Sequence, residues 1–139
     1  MKYQISKKFL SYSEAFSITY EAGGIAYWVY PETFSSGHKF SFMDANKNKL
    51  GYVYQKLESS ESDYKIVVAG VYFGKVVWDN KGFSFREKFK LKINGAANCC
   101  VKRYLWKNEF KFFRNGGVVA KITKHSSNWK DSYFVEFSD

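Results

Sequence analysis

Pairs of apolar residues separated by a single position recur down the whole chain at nearly constant spacing, and this pattern sharply limits what the chain can fold into. Phe16 and Ile18, Phe40 and Phe42, Tyr64 and Ile66, Phe89 and Leu91, Phe110 and Phe112, and Tyr133 and Val135 begin about 21 to 25 residues apart. Alternation at period two puts both members of a pair on one face of a strand, whereas a helix would need apolar positions three and four apart. An interval of this length holds two short strands and their turns. A further apolar residue stands six or seven positions upstream of four pairs, at Phe9, Phe34, Leu57 and Phe83. The polar, often serine-bearing link between reads as a tight reversal.

On the other side of the pairs, Glu21-Ala22-Gly23-Gly24, Asp44-Ala45-Asn46-Lys47-Asn48, Ala69-Gly70 and Arg114-Asn115-Gly116-Gly117 supply residues that tolerate hairpin dihedrals. The clearest strand is Lys88 to Ile93, where three apolar residues alternate with three lysines. The pattern predicts strands near 3–9, 15–20, 25–30, 38–43, 49–57, 62–69, 71–77, 87–94, 98–103, 109–114, 117–124 and 131–137. Twelve short sequential strands imply an all-β protein, a single domain over 1–139. An antiparallel meander closed into a barrel is favoured over an open sandwich, because closure removes two exposed sheet edges. Phe16, Ile18, Phe40, Phe42, Tyr64, Ile66, Phe89, Leu91, Phe112, Tyr133 and Val135 are expected to share the inward face. Most of Trp28, Trp78, Trp106 and Trp129 are expected in the core.

Candidate chemistry is sparse. Asp44, Asn46 and Asn48 have the spacing of calcium ligands, but Lys49 stands where the loop needs glycine and Gln55 where it needs glutamate, so a hairpin turn is expected. His38 and His125 have no cysteine or carboxylate at ligand spacing. Cys99 and Cys100 are adjacent, hence on opposite strand faces, without the spacer of a redox or zinc pair. The serines have no nucleophile elbow, and the glycine pairs lack the strand-to-helix setting of a phosphate loop. Neither a catalytic site, nor a metal site, nor a cofactor is expected.

Several segments occur together and in order: Lys8-Phe9-Leu10-Ser11, Thr33 through Phe40, Gln55-Lys56-Leu57-Glu58-Ser59, Leu105 through Phe110, Val119-Ala120-Lys121-Ile122 and Trp129 through Glu136. Together they resemble the LURP-one-related family of the tubby C-terminal-like superfamily across essentially the whole chain. The resemblance implies a twelve-stranded barrel threaded by a hydrophobic C-terminal helix, with phosphoinositide-binding tubby domains and phospholipid scramblases as distant relatives. Two departures stand out. The link Glu58 through Asp63 is more acidic than the pattern, and the sequence stops at Asp139, where the helix would begin. The expectation is therefore a tubby-like barrel lacking its core helix, either flattened or with an interior that accepts a separate helix or an apolar long-chain ligand. No lipid-binding residue of tubby domains has a counterpart here.

Charge supplies the functional expectation. With 22 basic against 13 acidic side chains the net charge is +9, which draws anionic surfaces toward the chain. The expected activity is non-enzymatic binding or scaffolding, led by peripheral attachment to anionic phospholipid through Lys88, Lys90, Lys92, Lys102, Arg103, Lys107 and Lys111. The alternatives are single-stranded nucleic acid, held by basic and aromatic residues, and an acidic protein partner. The longest apolar run, Ile25 to Tyr30, falls far short of a membrane span. Together with the cysteine usage this leads to the expectation of a cytoplasmic protein, peripheral at the inner membrane surface.

Overall fold

Alternating apolar and polar residues fold into twelve strands: β1 (Lys2–Leu10), β2 (Ser13–Tyr20), β3 (Ile25–Glu32), β4 (Gly37–Asp44), β5 (Lys49–Lys56), β6 (Tyr64–Val68), β7 (Val71–Trp78), β8 (Lys88–Ile93), β9 (Cys99–Tyr104), β10 (Glu109–Arg114), β11 (Gly117–Ser127) and β12 (Lys130–Phe137). The structure, a computed structural model, describes residues 1–10, 13–32, 37–56, 63–78, 88–127 and 130–138. Each strand pairs antiparallel with its sequence neighbours, and β12 pairs back onto β1, with Tyr3 opposite Val135 and Ile5 opposite Tyr133. The sheet is thus a closed barrel with no free edge. All twelve expected strands are present, and β11 runs three residues further than expected, to Ser127.

Short turns join the strands at the barrel end that holds both termini. Gly23 and Gly24, Lys47, Ala69 and Gly70, and Asn115 and Gly116 all take positive φ there. In the β4–β5 turn the Asp44 carboxylate accepts hydrogen bonds from the backbone N–H groups of Asn46 (2.9 Å) and Asn48 (2.8 Å) and from the Asn48 side chain (3.1 Å). Those bonds, the Asn48 backbone first, hold the Asp44 pKa below its ordinary range. The loop that resembled a calcium site is a hairpin turn closed by its own aspartate. At the opposite end, a single 3-10 turn (Leu105–Lys107) joins β9 to β10.

Residues opposed on neighbouring strands share a face, so the register carries the inner wall around the barrel. One run passes through Phe40, Val53, Ile66, Gly74 and Ile93. Another passes through Phe89, Val101, Phe112 and Ala120. Every residue expected on the inward surface lies on this wall. The outer wall carries Ser17, Trp28, Ser41, Tyr52 and the lysines discussed below.

The tryptophans correct an expectation. Trp28 lies on the outer wall, its ring tilted toward Tyr30 with centroids 6.2 Å apart, and Trp106 is fully exposed. Trp78 is on the inner wall, edge-on to Phe89 at 5.0 Å, yet nearly half exposed. Trp129 lies outside the described residues. Strand alternation decides the position of Trp28, and its neighbours Ala26 and Ser17 are small enough to be covered by it.

Large side chains are not fully enclosed. Among the described residues the largest that are completely buried are Ser17 and Ser41, and the buried apolar set is Ala15, Ala26, Cys99, Val101 and Ala120. The accessible surface is 10033 Å² for a 16.2 kDa chain, where a compact monomer of that mass has about 7,500 Å². The aromatic contacts described on the inner wall, among Tyr3, Tyr20, Tyr27, Phe42 and Phe137, join strands that are adjacent or one apart around the wall, from β12 to β4. A flattened barrel would press opposite walls together and bury the large side chains of the lining. Here the lining stays partly accessible.

Candidate functional site

Between β6 and β11 the outer wall is dominated by lysines that the register sets directly opposite one another. Lys102 on β9 faces Lys111 on β10, and Lys111 faces Lys121 on β11. Lys88 holds the register position opposite Lys102, but its side chain is outside the described residues. A second row joins Lys65 on β6 to Lys75 on β7 and Lys92 on β8. Lys90, opposite Val77 and Cys100, stands between the two rows. On β12 the longer row ends at Glu136, which is opposite Lys121.

Like charges directly across an antiparallel pair are unfavourable, so this arrangement costs stability. Lysines on exposed edges commonly block edge-to-edge aggregation, but a closed barrel has no edge to protect. The cost is reduced locally. Glu109 lies 3.9 Å from Lys111 and 3.6 Å from Lys121, and Asp63 lies 3.2 Å from Lys75. Aromatic faces steady two ammonium groups: Lys102 sits 5.0 Å from the centroid of Phe113, and Lys111 sits 5.3 Å from that of Tyr104. What remains is a fixed, net-positive outer face.

Of the residues expected to bind an anionic surface, Lys90, Lys92, Lys102 and Lys111 share this face. Arg103 does not, because it is one position out of phase. It lies on the inner wall, with its guanidinium 5.6 Å from the Phe110 ring. Lys107 is exposed in the 3-10 turn at the end of β9. Lys65, Lys75 and Lys121 belong to the face but were not anticipated, since their membership depends on pairing across strands distant in sequence.

A second outer cluster is more nearly neutral. Glu32 accepts a hydrogen bond from the buried Ser41 hydroxyl and lies 3.3 Å from Lys39 and 3.8 Å from Lys49. The Ser41 bond, followed by the two lysines, lowers the Glu32 pKa. Both lysines also lie over the Tyr52 ring, at 4.5 and 5.1 Å. A depression of about 290 Å³ lies over β1, β11 and β12, lined by the charged Lys2, Glu21, Lys121 and Glu136 together with Tyr3 and Phe134 among others. Its mixed charge gives it no preference for anions.

The remaining reactive groups are dispersed. Cys99 is buried on the inner wall and Cys100 is half-buried on the outer one, both as free thiols. His38 is exposed, and exposed His125 packs edge-on against Phe134 at 4.8 Å. Among the described residues no three His, Cys, Asp or Glu side chains gather as a metal site would require. No helix among them is long and apolar enough to cross a membrane.

The chain is 27% identical over 134 residues to the uncharacterized protein YxjI of Bacillus subtilis (strain 168), a match that covers 96% of this chain and 80% of that protein. No solved structure matches it. A family model described as LURP-one-related matches residues 1–139, from the first strand of the barrel to the last, and the chain belongs to that family.

Proposed function

We propose that this barrel is a non-enzymatic binding domain whose lysine-rich outer face attaches peripherally to anionic phospholipid. The observation that carries the reading is the opposition of Lys102, Lys111 and Lys121 on three consecutive strands, beside a second row of Lys92, Lys75 and Lys65. A rigid sheet that holds like charges together against their repulsion is suited to a ligand of opposite and distributed charge. Each lysine close to an acidic bilayer contributes about 1 kcal/mol, so four give measurable but salt-sensitive association. The resemblance to tubby-like lipid-binding domains points the same way.

Sedimentation with vesicles of phosphatidylcholine containing phosphatidylserine, at low and high salt, tests this reading. Binding to the anionic vesicles at low salt, weakened by added salt and absent with phosphatidylcholine alone, is the expected result. No preference for anionic vesicles at low salt overturns it. Tight binding of short single-stranded oligonucleotides with silent vesicles would favour nucleic acid, and recovery of an acidic protein with both titrations silent would favour the scaffold alternative.

The interior supports a second, compatible reading. Its lining is largely apolar, with Arg103 among it, and partly accessible, and Arg114 at the terminus-bearing end has a buried Nε with no hydrogen-bond partner among the described residues. Burial of that lining by a separate apolar helix or a long-chain ligand would be favourable at about 25 cal/mol per Å². Thermal unfolding with and without long-chain fatty acid separates the two occupants. A rise in Tm with chain length favours the ligand.

A further inference from the structure

Trp106 is the most exposed large side chain among the described residues, at 101% of its reference area. A tryptophan ring held in water leaves a large apolar area uncovered, and the three-residue turn at the barrel rim gives it no partner of its own. The turn that presents it is well braced. Tyr104 and Glu109 close it as the last opposed pair of β9 and β10. Asn108 takes φ 48°, and its carbonyl accepts the Lys124 N–H at 2.9 Å. The tryptophan therefore projects from a fixed support.

Its position relative to the lysines is specific. Lys107 is its neighbour, and the Lys102–Lys111 pair lies two rungs from the Tyr104–Glu109 pair. Two rungs are about 7 Å, within one Debye length at physiological salt. A ring at the depth of the acyl boundary would thus hold this end of the lysine row against the headgroups. Indole rings favour that zone because it offers an apolar body and a wet rim together.

We infer that Trp106 is the insertion anchor of the lysine face, entering the interfacial layer of an anionic bilayer while Lys107, Lys102 and Lys111 rest on the headgroups. The inference rests on the membrane reading above and adds an orientation to it: the barrel stands on the end that carries the 3-10 turn, with the termini directed away. Charge complementarity sets the class of partner. An aromatic beside one cation would serve many surfaces, but a fully exposed indole at the rim of a multi-lysine wall fits a layer that is anionic outside and apolar beneath.

The test uses the full chain and three variants: Trp106→Ala, Trp106→Phe, and Trp28→Phe as a tryptophan-loss control. Vesicles contain 70% phosphatidylcholine and 30% phosphatidylserine, with or without brominated acyl chains that quench nearby indole. Trp106→Ala should weaken binding about tenfold or more, about 1.4 kcal/mol. Trp106→Phe should recover part of the affinity. Brominated lipid should quench wild type, and the quenching should vanish in Trp106→Phe but persist in Trp28→Phe. Circular dichroism and urea midpoints of Trp106→Ala should match wild type, since the side chain is fully exposed.

If wild type binds the vesicles and Trp106→Ala binds equally well without loss of quenching, the anchor is refuted while the lysine-face reading stands. If wild type does not bind, both fall. If a short single-stranded oligonucleotide quenches Trp106 and vesicles fail to compete, the membrane assignment is overturned in favour of base stacking.

Discussion

Replacing Gly74 with alanine tests whether the barrel wall has the register described, because the strand pair leaves no room for a methyl group there. A Cβ built at Gly74 would lie 2.2 Å from the Lys92 carbonyl oxygen and 3.1 Å from the Ile93 Cα, both backbone atoms of β8. Ordinary contact between carbon and oxygen needs over 3 Å, so the strands must separate locally by about 1 Å. That is enough to break ladder hydrogen bonds. Overpacking costs about 1–3 kcal/mol, and one or two lost hydrogen bonds add about 1 kcal/mol each. The total, about 2–5 kcal/mol, is a large part of the stability of a domain this size. Gly23→Ala is the comparison: its site is spacious, so only the left-handed φ of 90° is unfavourable, and the cost should be about 1–2 kcal/mol. Urea denaturation followed by tryptophan fluorescence measures both. A Gly74→Ala variant within 0.5 kcal/mol of wild type, taking that margin as the usual scatter of surface changes, would refute the β7–β8 register.

Other predictions follow from the same geometry. Leu91 lies on the inner wall but is only half-buried, so Leu91→Ala should cost about 1–2 kcal/mol and Lys90→Ala less than about 0.5 kcal/mol. A Leu91→Ala loss above about 3 kcal/mol in urea titration would mean that the interior is fully packed. Glu32 has its pKa lowered below an ordinary value of about 4.5, chiefly by the Ser41 hydroxyl. Its stabilising contribution is therefore complete above that value and disappears as pH falls through the lower folded value. Glu32→Gln should be less stable than wild type at pH 7 by up to about 1 kcal/mol, a modest figure because the site is partly solvated. The two proteins should converge once the pH has fallen below the folded value, and a gap that persists in acid would place the effect in packing.

The strands and the inward set were legible because period-two alternation is a local property. Tyr64 and Ile66, or Phe89 and Leu91, announce their common face within one strand. The basic face was legible only in part. Lys90 and Lys92 alternate with apolar neighbours on their own strand, but Lys121 joins Lys111 only through the β10–β11 pairing, which shifts at a bulge between Phe112 and Phe113. Arg103 looked equivalent to Lys102 because proximity in sequence ignores the alternation that sends adjacent residues to opposite walls. Trp106 was misread for a different reason. Hydrophobicity predicts burial only where the chain has a partner to offer, and a three-residue turn at the barrel rim offers none.

The ladder itself is tested most directly by comparing two triple variants of equal charge loss for binding to phosphatidylserine-containing vesicles. One is Lys102→Gln with Lys111→Gln and Lys121→Gln. The other is Lys2→Gln with Lys47→Gln and Lys49→Gln, which removes lysines from β1 and the β4–β5 hairpin. With about 1 kcal/mol for each lysine at the surface, the first triple should bind about 100-fold more weakly than wild type at low salt, and the second should bind nearly as well as wild type. Equal losses in both would mean that net charge alone attracts the membrane, and no loss in the first would contradict the assignment of function to this face.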